Sequence, residues 1–194
     1  GGPAGLEAAH IAAERGHKVT LCEKGNSWGG LAKTAIAYKG QNEKIADHID
    51  WLVRQCENQG VTMTLGEEVT AESIASASPD VFIDATGGVP TTPDMPGIDG
   101  ANVSIMGDGT MPEGDAVVII GGHIEGIEVA IHLAKQGKSV TVLNEDTEDA
   151  LGRDIPPELQ PKYLRWCQTH NVRMLSNVTV DAVEADHVAF TWDY

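Results

Sequence analysis

The sequence predicts an α/β fold built from two Rossmann-like units in tandem, each with a parallel sheet, the first lacking its opening strand. Three observations predict it. A glycine-rich turn, Gly1-Gly2-Pro3-Ala4-Gly5, opens a helical run that ends on a glycine and leads into an apolar strand with an acid at its end. The same order returns from Gly121-Gly122-His123-Ile124-Glu125-Gly126 onward. The two stretches align without a gap at an offset of 121 residues, Gly1 with Gly122 and Glu23 with Asn144, and eight of the 23 aligned positions are identical, Gly5/Gly126, Gly16/Gly137 and Thr20/Thr141 among them.

In the fingerprint G-x-G-x-x-G, Gly2 takes the second glycine and Gly5 the third, while the first falls one residue before Gly1. The chain is therefore expected to begin inside the motif. The second glycine lets backbone approach a pyrophosphate, and the third lets the helix pack close to the strand. Pro3 suits a first helical turn, where its missing N–H has no partner to lose. A helix over 4–15 is predicted, capped by Gly16. Lys18 to Cys22 reads as a buried strand, and Glu23 at its end has about the right spacing for the acid that takes ribose hydroxyls. The plainer reading is a βαβ turn that uses its glycines only for tight packing. Helix, cap, strand and acid in one register favour the dinucleotide.

Beyond it, Asn26 to Gly30 is a loop whose paired glycines can bring backbone against a cofactor. A helix is predicted over 42–58, with Ile45, Ile49, Leu52, Val53 and Cys56 on one face and Trp51 packing beside it. A strand over 61–65 and a helix near 71–77 follow. Val81 to Gly88 reads as a buried strand running into a glycine turn. The stretch 89–114, with Pro90, Pro93, Pro96 and Pro112, marks a crossing between units, so the domains are expected at 1–113 and 114–194. The second unit then offers a strand over 116–120, a helix over 127–135 capped by Gly137, a strand over 139–143, a helix within 157–170, and strands over 172–175, 178–183 and 187–192.

Charge narrows the function classes. The formal net charge is −16, from 29 acids against 13 Lys and Arg. With no basic stripe, a nucleic-acid partner is not expected. An anionic dinucleotide is still compatible, because helix N-termini and backbone amides bind phosphates without cationic side chains. Cys22, Cys56 and Cys167 are odd in number and far apart, which fits neither a zinc site nor a disulfide framework; each is expected to pack as a small buried group. No apolar run reaches the length of a membrane span. No membrane partner is expected, and a cytoplasmic setting fits best.

The ordered set GGPAGLEAA, VTLCEK, WGGLA, DVFIDATGGVPTTPDMPGIDG and VVIIGG resembles the two-dinucleotide-binding-domain flavoproteins, across nearly all 194 residues. It is most similar to the C-terminal region of old-yellow-enzyme-type reductases, the 2,4-dienoyl-CoA reductase and enoate reductase group, whose architecture the amine dehydrogenases share. The resemblance implies an FAD domain followed by an NAD(P)H domain. Gly2, Pro3, Ala4 and Gly5 would line the FAD pyrophosphate, Glu23 would take the ribose with Lys24 beside it, and Gly30 and Leu31 would run along the flavin side. Val69 would meet adenine through its backbone, and Ala85, Thr86 and Gly87 match the segment passing near the cofactor. For Thr86 a capping hydroxyl at a strand end is an equal reading. Gly121, Gly122, His123, Ile124, Gly126 and Asn144 would form the nicotinamide site. FMN and a 4Fe-4S cluster would belong to an upstream barrel domain of the same protein, and electrons would pass from NADH through FAD to it. Disulfide reductases of this fold carry a cysteine pair soon after the Gly-Gly loop. Here Leu31-Ala32-Lys33-Thr34 follows, so thiol chemistry is not expected.

Two departures bear on the second site. His123 replaces the close-approach glycine, where a side chain crowds a pyrophosphate or, if protonated, contacts it, and Asn144 replaces the ribose acid. Residues 144–149 carry no Lys or Arg to meet a 2′-phosphate, so NADH is expected over NADPH, with Arg153 the nearest cation in sequence. The alternative, from a different class, is a non-catalytic nucleotide-binding module that holds ADP or FAD structurally with an empty second unit. No side chain stands out as a general acid or base.

Overall fold

The computed structural model of the chain describes residues 1–39, 43–107 and 110–193. Contacts divide it into two compact units, Gly1–Ala37 with Gln41–Val89, and Tyr38–Gly40 with Pro90–Tyr194.

Unit one opens with α1 (Pro3–Glu14), whose Pro3 occupies the first helical turn as the sequence suggests. Gly16 follows at φ +89, a left-handed position that glycine takes without the Cβ clash other residues meet. Strand β1 (Thr20–Glu23) pairs in parallel with β2 (Thr62–Leu65), Thr20 beside Thr62 and Glu23 beside Leu65. Between them run α2 (Leu31–Lys39) and α3 (Glu43–Asn58). Asn42, where the helix is expected to begin, lies outside the described residues. The expected face of α3 is the buried one. Ile49, Leu52 and Cys56 join Leu6 and Ala9 of α1 and Val61 in one core, with Leu21, Val53 and Met63 partly buried against it. Full burial of Leu6 and of Leu52 contributes about 1.5–3 kcal/mol each. The Cys56 thiol donates to the Leu6 carbonyl at 3.3 Å, and burial pushes its pKa up. Trp51 stays partly exposed between the rings of His10 and His48. Short helix α4 (Ala71–Ala77) starts at a reciprocal cap between Thr70 and Ser73.

Two expectations are corrected here. Helix α2 is absent from the sequence reading because Leu31–Lys39 has no strong apolar periodicity. Conversely, Val81–Gly88 is not a buried strand. It runs without a ladder partner, with Val81 75%, Phe82 52% and Ile83 59% exposed. A strand needs a neighbour to take its N–H and C=O groups, and no described strand lies alongside this segment.

Unit two holds a three-stranded parallel sheet in the order β3 (Ala116–Ile120), β4 (Ser139–Leu143), β5 (Arg173–Leu175). Ala116 lies beside Ser139 and Thr141 beside Arg173. Helices α5 (Ile124–Lys135) and α6 (Gln160–Thr169) connect these strands. Ile119, Ile127, Ala130, Leu133, Val140, Val142, Cys167 and Val172 form the core, and Tyr38 packs into it. Burial pushes the Cys167 thiol up to about 11. Strands β6 (Val178–Val183) and β7 (Val188–Trp192) pair antiparallel as a hairpin, a departure from purely parallel sheets. The fold is α/β with Rossmann-like parallel sheets, as the sequence predicts. All three cysteines are free, and Cys22, expected to be buried, is only partly so.

Candidate dinucleotide-binding sites

The first site forms where α1 begins. Gly2 is the N-cap of that helix in an extended conformation, and no side chain caps it, so the helix N–H groups stay available for an anion. The loop over 26–30 folds back onto this turn. Gly29 N–H donates to the Gly1 carbonyl at 2.8 Å. Gly30 lies so close that a Cβ built on it would stand 3.0 Å from the Gly2 Cα. Gly30 also has φ +48, where L side chains are strained. Two glycine stretches, separate in sequence, thus meet backbone to backbone at a helix N-terminus. Gly2, Pro3, Ala4, Gly5, Gly30 and Leu31 at the head of α2 all belong to this backbone-lined turn.

Glu23 stands beside the turn. Its Oε1 accepts from Gly25 N–H at 2.6 Å. That hydrogen bond, the largest cause, holds its carboxyl below the usual carboxylate range, so it stays ionised at neutral pH. The loop carrying Val69 is tied to the same strand end, by Gly66 N–H to the Gly25 carbonyl and Glu67 N–H to the Glu23 carbonyl, both at 2.9 Å. Lys24 makes a surface ion pair with Glu68 at 2.7 Å. Ala85 lies against Gly5, where a built Cβ would meet its Cβ at 3.4 Å. Thr86 is exposed, and its N–H and Oγ1 both donate to Asp84 Oδ1. This is a local turn, closer to the capping reading than to a ligand contact. Gly87, at φ +80, has no neighbour within 4 Å of a built Cβ.

The second site is a cleft of about 520 Å³ outside the carboxyl ends of β3 and β4, where open α/β sheets bind ligands. Gly121, Gly122, His123, Leu143 and Asn144 line it, together with Asp94 and Met95 and the start of β6. Gly126 packs the head of α5 so tightly that a Cβ there would overlap the Gly121 carbonyl, and Gly122 has Leu151 and Asn144 within 3 Å of a built Cβ. Both glycines are required by packing. His123, at the N-cap of α5, and Ile124, its first residue, complete the turn.

Two predicted residues play other parts than expected. Asn144 is 2% exposed, and its amide donates to the Asp146 carbonyl at 2.9 Å and the Thr147 carbonyl at 3.3 Å. It braces the loop after β4 and does not present its amide to a ribose. The His123 ring is drawn sideways: Nδ1 lies 3.2 Å from Asp154 Oδ2, and Nε2 lies 3.1 Å from an Arg153 guanidinium nitrogen. The same Nε2 lies 3.6 Å from Asp146 Oδ2, so the ring sits among Arg153, Asp146 and Asp154. Arg153 in turn pairs with Asp146 at 2.7 Å. Asp94, Asp146 and Asp154 are not singled out as site residues by sequence reasoning. Asp146 carried a signal as one of the two acids directly after Asn144, and Arg153 as the first cation beyond that acidic loop. No described helix is long and apolar enough to cross a membrane.

A family model described as pyridine nucleotide-disulphide oxidoreductase matches residues 1–193. An NADH oxidase of Thermoanaerobacter brockii is 39% identical over 150 residues, 74% of this chain and 23% of that protein. A cinnamate reductase of Clostridium sporogenes is 35% identical over 149 residues, 74% of this chain and 22% of that protein. The solved structure of a 2-naphthoyl-CoA reductase bound to 2-naphthoyl-CoA superposes with a TM-score of 0.89 at 35% identity, covering 98% of this chain and 29% of that one. The chain thus spans about a quarter of the length of the curated relatives it matches.

Proposed function

The chain belongs to the pyridine nucleotide-disulphide oxidoreductase family, and from that premise we propose that it is the FAD- and NADH-binding portion of a flavin-dependent oxidoreductase. Unit one holds FAD and unit two the nicotinamide dinucleotide. Electrons go on to an upstream FMN and iron–sulfur barrel of the same cytoplasmic protein, which reduces an enoate or acyl-CoA alkene in the manner of old-yellow-enzyme-type reductases. The names of the cinnamate and naphthoyl-CoA reductases support that substrate class.

One observation carries the reading: the Gly2–Gly30 cradle at the uncapped head of α1, with ionised Glu23 beside it. In it the Gly2, Pro3, Ala4 and Gly5 turn would hold the pyrophosphate through backbone, and Glu23 would accept from ribose hydroxyls. The bound flavin and nicotinamide supply the hydride chemistry. The chain's own task is to bind, orient and discriminate. Burial pushes up the pKa of the Cys22, Cys56 and Cys167 thiols, so none is poised as a thiolate nucleophile.

Anaerobic addition of NADH to the FAD-loaded chain tests the reading. Bleaching of the visible flavin absorbance is expected. A second reading, a structural nucleotide module, draws on the Asp154–His123–Arg153–Asp146 network over the second turn. Retained FAD with no bleaching by NADH or NADPH would select it.

A further inference from the structure

Charge is segregated within unit two. None of the chain's 29 acids lies within 129–144 or 159–180, yet these two stretches hold five of its 13 Lys and Arg: Lys135, Lys138, Lys162, Arg165 and Arg173. They take in most of α5 and all of α6, which share one core through Leu133 and Cys167. Trp166 of α6 is the centre of the face they form. Lys162 Nζ stands 4.8 Å and Lys135 Nζ 5.4 Å from the centre of its ring, so the end of α5 and the middle of α6 present their ammonium groups together. Lys138 is turned to the Glu113 and Gly114 carbonyls, at 3.0 and 2.6 Å, whereas Lys135, Lys162 and Arg165 are exposed. Glu128, the acid bordering the face, accepts from the Tyr163 hydroxyl at 3.3 Å. The complement lies in the same unit. After β4 the chain runs Glu145-Asp146-Thr147-Glu148-Asp149, and Glu145, Glu148 and Asp149 are exposed. A short 3₁₀ turn, Glu148–Ala150, carries the last two acids.

We propose that the Lys135–Lys162–Arg165 face of one copy of this chain seats on the Glu148–Asp149 ridge of a second copy. Both surfaces belong to unit two, so the contact made twice about a two-fold axis closes a dimer. The net charge of −16 opposes association only where it is felt at long range. At about 0.1 M salt the Debye length is about 10 Å, so each copy meets the nearest face of the other and not its distant acids. Holding the two lysines over the Trp166 ring reduces the side-chain freedom lost on contact. Arg165 adds a planar fork that matches carboxylates. Glu145 and Asp146 of the same loop line the second cleft, so the seated copy stands at the mouth of that cleft, whatever the cleft binds.

Sedimentation velocity of the full chain over a salt series tests the contact. The dimer is expected to be most populated near about 0.1 M salt and to fall away towards about 1 M, where the Debye length shrinks to about 3 Å. Lys162→Glu with Arg165→Glu should raise the dimer dissociation constant by on the order of tenfold or more, and Glu148→Lys with Asp149→Lys should do the same, because each sets like charges against each other. Mixed in equal amounts, the two double variants should pair with one another, since the reversed face of one meets the reversed ridge of the other. That rescue also shows both to be folded. The neutral pair Lys162→Gln with Arg165→Gln is milder and should weaken the dimer in the same direction. A wild type that stays monomeric at every salt concentration overturns the proposal, and its co-sedimentation with phosphatidylglycerol vesicles would then assign the face to an anionic membrane surface. A dimer that the reversals or the neutral pair leave intact overturns it as well, because association then uses another surface. So do double variants that are folded by circular dichroism, dissociate, and fail to pair when mixed.

Discussion

Gly30→Ala is the sharpest perturbation of the first site, because two penalties can be worked from the geometry. Gly30 sits at φ +48, and placing an L side chain in the left-handed region costs about 1–2 kcal/mol. The new Cβ would also stand 3.0 Å from the Gly2 Cα and 3.5 Å from the Gly2 nitrogen. Both are backbone atoms, so the Gly1–Gly2 turn has to give way by a few tenths of an ångström. A total of about 2 kcal/mol follows, which lowers the Tm of a chain this size by about 4–8 °C. The turn that moves is the proposed pyrophosphate cradle, so FAD affinity should fall by about tenfold, or about 1.4 kcal/mol. Gly16→Ala is the control. Gly16 is also left-handed, at φ +89, but a Cβ there meets nothing within 4 Å. It should lose stability through strain alone and keep FAD. Melts followed by circular dichroism, with flavin fluorescence titrations of both variants, make the comparison. Equal FAD affinity in Gly30→Ala and Gly16→Ala would refute the cradle.

Two further outcomes follow from the same geometry. The Glu23 carboxyl is held below its ordinary range, chiefly by the hydrogen bond from Gly25 N–H, so its contribution is fully present above the unfolded pKa of about 4.3 and is lost as pH falls through the lower folded value. Stability measured by urea unfolding should therefore drop more steeply below about pH 4.3 in the wild type than in Glu23→Gln, and parallel curves would count against that hydrogen bond. The matched glycines of the two units should respond differently to alanine. Gly126→Ala drives a Cβ into the Gly121 carbonyl and should cost about 3 kcal/mol, whereas Gly5→Ala meets only Ala85 and Leu21 at 3.4 and 3.6 Å and should stay within about 1 kcal/mol of wild type; urea midpoints that rank them the other way would overturn this account of packing.

The sequence by itself determined the two βαβ repeats. Their signals are local: Pro3 in a first turn, Gly16 and Gly137 after a helix, apolar strands at 20–23 and 139–143, and the matched spacing between Gly1 and Gly122. Each depends on the backbone preferences of a few adjacent residues, so it can be read without knowing what lies across the fold. Tertiary structure decided what meets what. Gly30 faces Gly2 only because α2 returns the chain to the head of α1, and nothing in WGGLA names that partner. Val81 to Ile83 have the composition of a buried strand, yet strand formation depends on a neighbour, which local composition cannot supply. Asn144 reads as a weak ribose ligand from its position, but burial commits its amide to the carbonyls of the loop after β4. Arg153 reads as a distant cation until Gly152 is hydrogen-bonded to Gly122, which brings the guanidinium to both His123 and Asp146. Short-range conformational preference is written along the chain, whereas the pairing of side chains across a cleft is set by loop closure and by the burial of whatever lies beneath.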